Sequence, residues 1–338
     1  MKTVILEKPG RFVLTDTDSP TAPGPGEVLT KVRRIGICGT DIHAFRGDQP
    51  FFEYPRILGH ELAVDVVEPG PEVGNLKTGD LCAVEPYLNC GNCIACRAGK
   101  SNCCTRLLVP GVHVDGGMRE FMLLPANKLH LSGRLSADQL ALVEPLGIGF
   151  HAVGRANPQP GESVLIIGAG PIGLGVVAFA LLRCCRVLVT DVRAERLAFC
   201  REHFPEIHTI QAGENALSGI QNACNGELPS IVFDATGNRR SMENAVSLTA
   251  SGGRLVFVGL VLGEISFNDP EFHRKELTLL ASRNARGNEY PAIITHIEKG
   301  EVDTAPWVTH RASMSSLPDI FADWVAPESR IIKGMLEV

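Results

Sequence analysis

The sequence has no surplus of positive charge. Its 338 residues carry a formal net charge of −6, so there is no basic footprint for nucleic acid. No run approaches the ~18–20 consecutive apolar residues of a membrane span. The opening stretch, MKTVILEKPGRFVLTD, is a short alternating strand pattern broken at Pro9-Gly10. It lacks the apolar core and cleavage site of a signal peptide. Internal repeats and low-complexity tracts are absent too. Hydrophobic content of 44% and charged content of 21% are those of an ordinary globular protein. The length allows one or two domains and a substantial core. These features predict a cytoplasmic protein that acts on neither nucleic acid nor membrane.

Cysteine is not scarce, but its number is odd. Eleven cysteines cannot all pair, and thiols stay reduced in the cytosol, which argues against a disulfide framework. Five of them crowd into NCGNCIACRAGKSNCC, residues 89–104. Cys90, Cys93, Cys96 and Cys104 follow one another with gaps of two, two and seven residues. Two-residue gaps aim neighbouring thiolates at one ion, and a later fourth thiolate closes a tetrahedron, which suits structural Zn²⁺. A ferredoxin-type cluster spaces its fourth cysteine by three residues and follows it with proline; here Thr105 follows Cys104. A thioredoxin-like pair needs a single C-x-x-C beside a βαβ unit. Cys103 stays open as the ligand in place of Cys104.

The hydrophobic period changes along the chain. Up to about residue 145, segments such as PTAPGPGEVLTKVRRIGICGTD and HELAVDVVEPGPEVGNLKTGDLCAVEP read as short strands cut by glycine and proline, an irregular, barrel-like β domain. From ESVLIIGAGPIGLGVVAFALLRCCRVLVTD onward, buried strands alternate with helical stretches, including RAERLAFCREHF and RSMENAVSLTAS. That alternation indicates a doubly wound parallel sheet. The tail mixes a helical YPAIITHIEKGEV with a strand RIIKGMLEV. The expected domains are 1–147 with 285–338, carrying a cysteine lobe at 88–106, and 148–284.

Gly168, Gly170, Pro171, Ile172 and Gly173 belong to GAGPIG, which matches G-x-G-x-x-G. It follows the strand SVLIIG and opens a helix, the context in which the motif holds a dinucleotide pyrophosphate at a helix N-terminus. Asp191 ends the next strand, RVLVTD, where a carboxylate accepts from the adenosine ribose and repels a 2′-phosphate, favouring NAD. Arg193 and Arg196 lie nearby, and Arg196 is read as covering the ribose or adenine edge. Thr236 and Gly237, closing SIVFDATG, and Val258 and Gly259, in GGRLVFVGL, are also assigned to the cofactor.

A second constellation is spread over three segments. GICGTDIHAF holds Cys38, ILGHELAVDVV holds His60 and Glu61, and ALVEPLGIGFHAVG holds Glu144. A thiolate, an imidazole and a carboxylate make a borderline-soft set suited to Zn²⁺. Taken singly, a buried cysteine is usually a small hydrophobe, and Glu144 before a proline serves equally well to cap a helix.

CGTDIH, GHE, the four-cysteine lobe, EP at 144–145 and GAGPIG stand in the order of the zinc-dependent medium-chain dehydrogenases, which this chain resembles along almost its whole length. The resemblance implies a GroES-like β-barrel catalytic domain joined to a Rossmann domain, with the active site in the cleft between them. In the sorbitol dehydrogenase-like branch it implies a catalytic zinc on Cys38, His60 and Glu61. Glu144 would then be a fourth ligand or hold the zinc-bound water, where the alcohol dehydrogenase branch has cysteine. It also implies a proton path from the substrate hydroxyl over Thr40 and the nicotinamide ribose to His43, with Asp41 orienting His60. Arg283 stands where polyol relatives carry a substrate-binding arginine, and Thr40 and Glu144 are further substrate contacts. Ala44 replaces an aromatic residue common in those relatives, which implies a differently shaped pocket. Unlike mammalian polyol enzymes, the chain keeps the cysteine lobe, as bacterial-type members do. The expected activity is hydride transfer from a secondary alcohol of a polyol or sugar acid to NAD, by a homodimer or homotetramer carrying one catalytic and one structural zinc per chain. Threonine, butanediol and simple alcohol dehydrogenases are alternatives within the family. A non-catalytic NAD-sensing regulator is the alternative outside enzymology.

Overall fold

The computed structural model describes residues 1–49, 52–326 and 328–338. The chain forms two compact units, Met1–Glu144 with Arg286–Val338, and Pro145–Ala285.

The second unit is built on strands that are buried on both faces, as parallel sheets covered by helices require. Ile231–Asp234, for example, is buried at every residue. Six parallel strands lie in the order His208–Gln211, Arg186–Asp191, Ser163–Ile167, Ile231–Asp234, Arg254–Phe257, Thr278–Ala281. Numbered within the unit this is 3-2-1-4-5-6, the dinucleotide-binding order, whose crevice opens at the carboxyl ends of the two central strands. The first of those strands runs into the glycine turn, and Pro171 then sits in the first turn of the helix Pro171–Leu181. Proline is tolerated there because its missing N–H has no helical partner anyway. Gly168 has φ +98°, and a Cβ on Gly173 would lie 1.8 Å from the Gly168 carbonyl oxygen. The turn therefore closes only with hydrogen at both positions.

The first unit is mostly antiparallel. Its main sheet runs Val308–Ser313, Lys333–Glu337, Glu27–Gly36, Glu61–Pro69, Leu81–Val84, Leu129–Leu131, with Phe121–Pro125 also paired to Glu27–Gly36. Strand Glu27–Gly36 alternates between buried and more exposed residues over most of its length. Its inward residues Val28, Val32 and Ile35 join Leu62, Val64 and Phe321 in one core. The strand reading of the tail survives as Lys333–Glu337.

Two local expectations differ. GICGTDIHAF contains the helix Gly39–Arg46, begun by Cys38 and Asp41. RSMENAVSLTAS is α-helical only over Arg239–Asn244. Ser247 Oγ there donates to the Asn244 carbonyl at 2.8 Å, the local side-chain bond with which serine competes against helix propagation. Among the described residues no helix is long and apolar enough to cross a membrane.

Because the glycine turn has no room for a methyl group, Gly173→Ala is expected to lower stability by about 1–3 kcal/mol. A reduced urea midpoint, followed by circular dichroism, is the check; an unchanged midpoint would show that the turn relaxes freely.

Candidate functional site

Strand register assembles the mixed ligand set. Glu27–Gly36 and Glu61–Pro69 pair with Gly36 opposite Glu61, so the chain leaving one strand towards Cys38 lies beside the chain entering the other through His60. Cys38 begins the helix Gly39–Arg46, and its N–H donates to Asp41 Oδ2 at 2.8 Å, the arrangement in which a first-turn carboxylate satisfies a free helix donor. One ligand atom each from Cys38, His60 and Glu61 lies within 4.8 Å of the others. His60 and Glu61 are buried. A Cβ on Gly36 would come within 2.1 Å of Glu61 Oε2, so glycine opposite Glu61 is what lets that carboxylate turn inward.

Glu61 has a partner that the sequence reading missed. Lys333 Nζ donates to both Glu61 oxygens at 2.6 Å and to the Ile37 carbonyl at 3.0 Å. The two side chains are 2% and 1% exposed. Burial works against the ammonium charge, but the Glu61 carboxylate, the Cys38 sulfur and Glu144 together outweigh it and raise the Lys333 pKa. The available signal was a lysine inside the apolar strand RIIKGMLEV.

The donor set fits a divalent cation. Burial alone would lower the His60 pKa, yet the Cys38 sulfur, Asp41 and Glu144 together raise it well above its ordinary value. That is an excess of negative charge which a bound cation would neutralise. His60 Nδ1 and Asp41 Oδ1 are both buried and, among the described residues, lack hydrogen-bond partners. Asp41 thus accepts from the Cys38 N–H in this structure, and His60 Nδ1 makes no hydrogen bond to it. Burial raises the Asp41 pKa.

Glu144 stands outside the mutually close group. It is buried and accepts a hydrogen bond from the Tyr87 hydroxyl, a second partner missed from sequence. Burial and the adjacent Glu144 keep the Tyr87 phenol protonated, while burial raises the Glu144 pKa. Thr40 is half-buried, two residues past Cys38. His43 is exposed, with Nδ1 2.9 Å from Asp48 Oδ1. Arg283 is exposed two residues beyond the strand Thr278–Ala281.

The cysteine lobe forms a second set. One sulfur each from Cys90, Cys93, Cys96 and Cys104 lies within 4.8 Å of the rest, whereas Cys103 is exposed and outside the group. All eleven cysteines are free. Cys90 and Cys96 sulfurs are 4.0 Å apart. A tetrahedral zinc at ~2.3 Å from each sulfur separates them by roughly 3.8 Å, so the lobe accommodates it. Backbone N–H groups of Cys90 and Arg106 each donate to Cys104 Sγ at 3.3 Å. The Cys96 N–H draws the Cys93 thiol down to about 5, and the backbone at Asn92, helped by Arg106, brings Cys90 to about 7. Burial raises Cys96. Two of the thiols are therefore poised as thiolates, the form that binds metal.

In the other unit a cavity of about 840 Å³ opens at the carboxyl ends of the central strands. Gly168, Gly170, Asp191, Arg196 and Thr236 of the predicted residues line it, along with Arg193. Pro171, Ile172, Gly173, Gly237, Val258 and Gly259 are not part of that wall. Asp191 Oδ2 accepts from the Ala169 N–H at 2.7 Å, and Oδ1 from the Arg193 N–H at 2.8 Å. Arg196 Nη1 stands 3.8 Å from Asp191 Oδ2. The acid thus braces the glycine turn while facing the cavity.

Two outcomes test these sites. Lys333→Met leaves a buried carboxylate without its cation and is expected to cost about 3–5 kcal/mol, read as a lower denaturation midpoint. Cys93→Ser is expected to remove one equivalent of zinc per chain by elemental analysis, whereas Cys103→Ser retains the full complement; loss in both would reassign the fourth lobe ligand.

Residues 24–133 match the family model described as alcohol dehydrogenase GroES-like domain, and residues 171–299 the model described as zinc-binding dehydrogenase. The L-galactonate-5-dehydrogenase of Escherichia coli K12 is 39% identical over 99% of this chain and 98% of its own. Sorbitol dehydrogenase of Bacillus subtilis is 34% identical over 92% of this chain and 90% of its own. A crystal structure of an alcohol dehydrogenase from E. coli CFT073, complexed with NADH, superposes with a TM-score of 0.93 at 30% identity, covering 100% of this chain and 99% of that one. Motif order, fold and full-length similarity agree, and the chain belongs to the zinc-type medium-chain dehydrogenase family, built from a GroES-like and a Rossmann-type domain.

Proposed function

We propose that this protein is a zinc-dependent dehydrogenase that oxidises a secondary alcohol of a polyol or sugar acid to a ketone with NAD. The observation that carries it is the convergence of a thiolate, an imidazole and a carboxylate within 4.8 Å, from segments far apart in sequence. A relative that acts on L-galactonate at 39% identity, and another on sorbitol, support the substrate class. The NADH in the superposed E. coli structure, with Asp191 lining the present cavity, supports the cofactor.

Cys38, His60 and Glu61 would hold the catalytic zinc, and Cys90, Cys93, Cys96 and Cys104 the structural one. Bound zinc supplies Lewis acidity to an alcohol oxygen, and the nicotinamide accepts the hydride. Lys333, donating to both Glu61 oxygens, holds that carboxylate in place. Thr40 offers a hydroxyl two residues past Cys38 to take up the alcohol proton. His43, exposed and tethered by Asp48, passes protons to solvent. Asp41 secures the helix start that carries Cys38. Glu144 and Arg283 are the polar contacts for the substrate. In the dinucleotide unit, Gly168, Gly170, Asp191, Arg196 and Thr236 line the cofactor cavity; Pro171, Ile172, Gly173, Gly237, Val258 and Gly259 shape the turns around it. Cytoplasmic location, expected from the sequence features above, and homodimeric or homotetrameric assembly, expected from the family resemblance, complete this reading.

A panel of hexonates, pentitols, hexitols, threonine, butanediol and ethanol, each with NAD and NADP, tests it through NADH or NADPH absorbance. Turnover is expected on an aldonate or polyol with NAD, abolished by chelation and restored by zinc. Background rates across aldonates and polyols, with a simple primary alcohol turned over, would overturn the substrate class.

A further inference from the structure

The short segment between the strand Leu81–Val84 and the cysteine lobe carries three polar side chains at alternate positions, Glu85, Tyr87 and Asn89. Each is engaged. Glu85 N–H donates to the Lys128 carbonyl at 2.8 Å, and Glu85 Oε1 accepts from Lys128 Nζ at 2.5 Å, with both side chains buried. Lys128 Nζ also donates to Asn89 Oδ1 at 2.9 Å, and Asn89 Nδ2 donates to Cys96 Sγ at 3.6 Å. Between them Tyr87, 3% exposed, donates a hydrogen bond from its hydroxyl to Glu144. Immediately after Tyr87 the two arms of the lobe are clamped by reciprocal backbone bonds between Leu88 and Leu108, at 2.9 and 3.1 Å. The phenol is therefore fixed from both sides: Lys128 anchors the residues flanking it, and the lobe's stem closes next to it.

We infer that Tyr87 is a positioning residue, tying Glu144 to the stem of the cysteine lobe and setting where that carboxylate stands towards the metal held by Cys38, His60 and Glu61. This deepens the proposed function and rests on it. A carboxylate on a helix, buried and outside the mutually close ligand group, has several rotamers open to it. One directed hydrogen bond from a fixed phenol selects among them. Nothing in the ligand motifs demands a hydroxyl at position 87; packing alone would be served by phenylalanine. Among the described residues, the hydrogen bond that the extra oxygen makes is the one to Glu144.

The test is a cycle of Tyr87→Phe and Glu144→Gln, alone and together, in the full chain. Zinc retained per chain is measured during dialysis against graded chelator, with Cys38→Ala marking which release belongs to the mixed set. Tyr87→Phe keeps the ring and hence the packing, checked by thermal melting. It is expected to weaken zinc retention at the mixed set ~10–100-fold, the usual cost of removing a residue that orients a ligand. In the Glu144→Gln background the same change is expected to have little further effect, because its route of action is already gone. An equal loss in both backgrounds, or no loss in either, overturns the inference while leaving the proposed function standing. Absence of any zinc released with the Cys38-dependent signature in the unaltered protein overturns both.

Discussion

The mixed ligand set depends on one buried ion pair. A carboxylate that is 1% exposed is costly to bury unless an opposite charge is paired with it. Lys333 supplies that charge to both oxygens of Glu61, and the lysine comes from the last strand of the chain. Three strands must therefore be in register before the site exists. Gly36 faces Glu61 on one side and Met335 on the other, and its missing side chain leaves the space into which Glu61 turns. A one-residue slip on either flank would point these groups to the opposite face of the sheet. Charge balance follows the same geometry. The Cys38 sulfur, Asp41 and Glu144 all act on the buried His60 imidazole, the surplus of negative charge that a bound cation would offset.

The cysteine lobe is organised differently. Its four ligands lie within fifteen consecutive positions, 90–104, so little loop-closure entropy separates them. Backbone N–H groups and Arg106 stabilise the thiolates locally. The stem makes the lobe more than a local device, because Glu85, Tyr87 and Asn89 connect it to Lys128 and to Glu144. The dinucleotide unit is again largely local: strand, glycine turn and helix follow one another, and Asp191 reaches back across the adjacent strand to brace the turn with its carboxylate.

Much of this was legible without coordinates. Buried strands alternating with helices specify a parallel sheet, whereas the order of its strands came from the fold. The spacing of Cys90, Cys93, Cys96 and Cys104 specifies a tetrahedral thiolate site, because ligands two residues apart converge by turn geometry alone. Gly168 and Gly173 announce the tight turn for a similarly local reason. The motifs also singled out Cys38, His60 and Glu61, which the fold brings within 4.8 Å of one another. What the tertiary structure alone decided involves partners distant in sequence. Sequence favoured Cys104 but left Cys103 open in its place, and the fold of the lobe turns Cys104 inward and Cys103 outward. Lys333 lies 272 positions from Glu61 and Tyr87 57 from Glu144, and neither pair has a fixed spacing to betray it. Asp41, expected to orient His60, also holds the Cys38 N–H at the helix start, a partner that the sequence did not announce. Short-range geometry is written in the order of residues; which side chain neutralises a buried charge is settled only when strands from opposite ends of the chain pair.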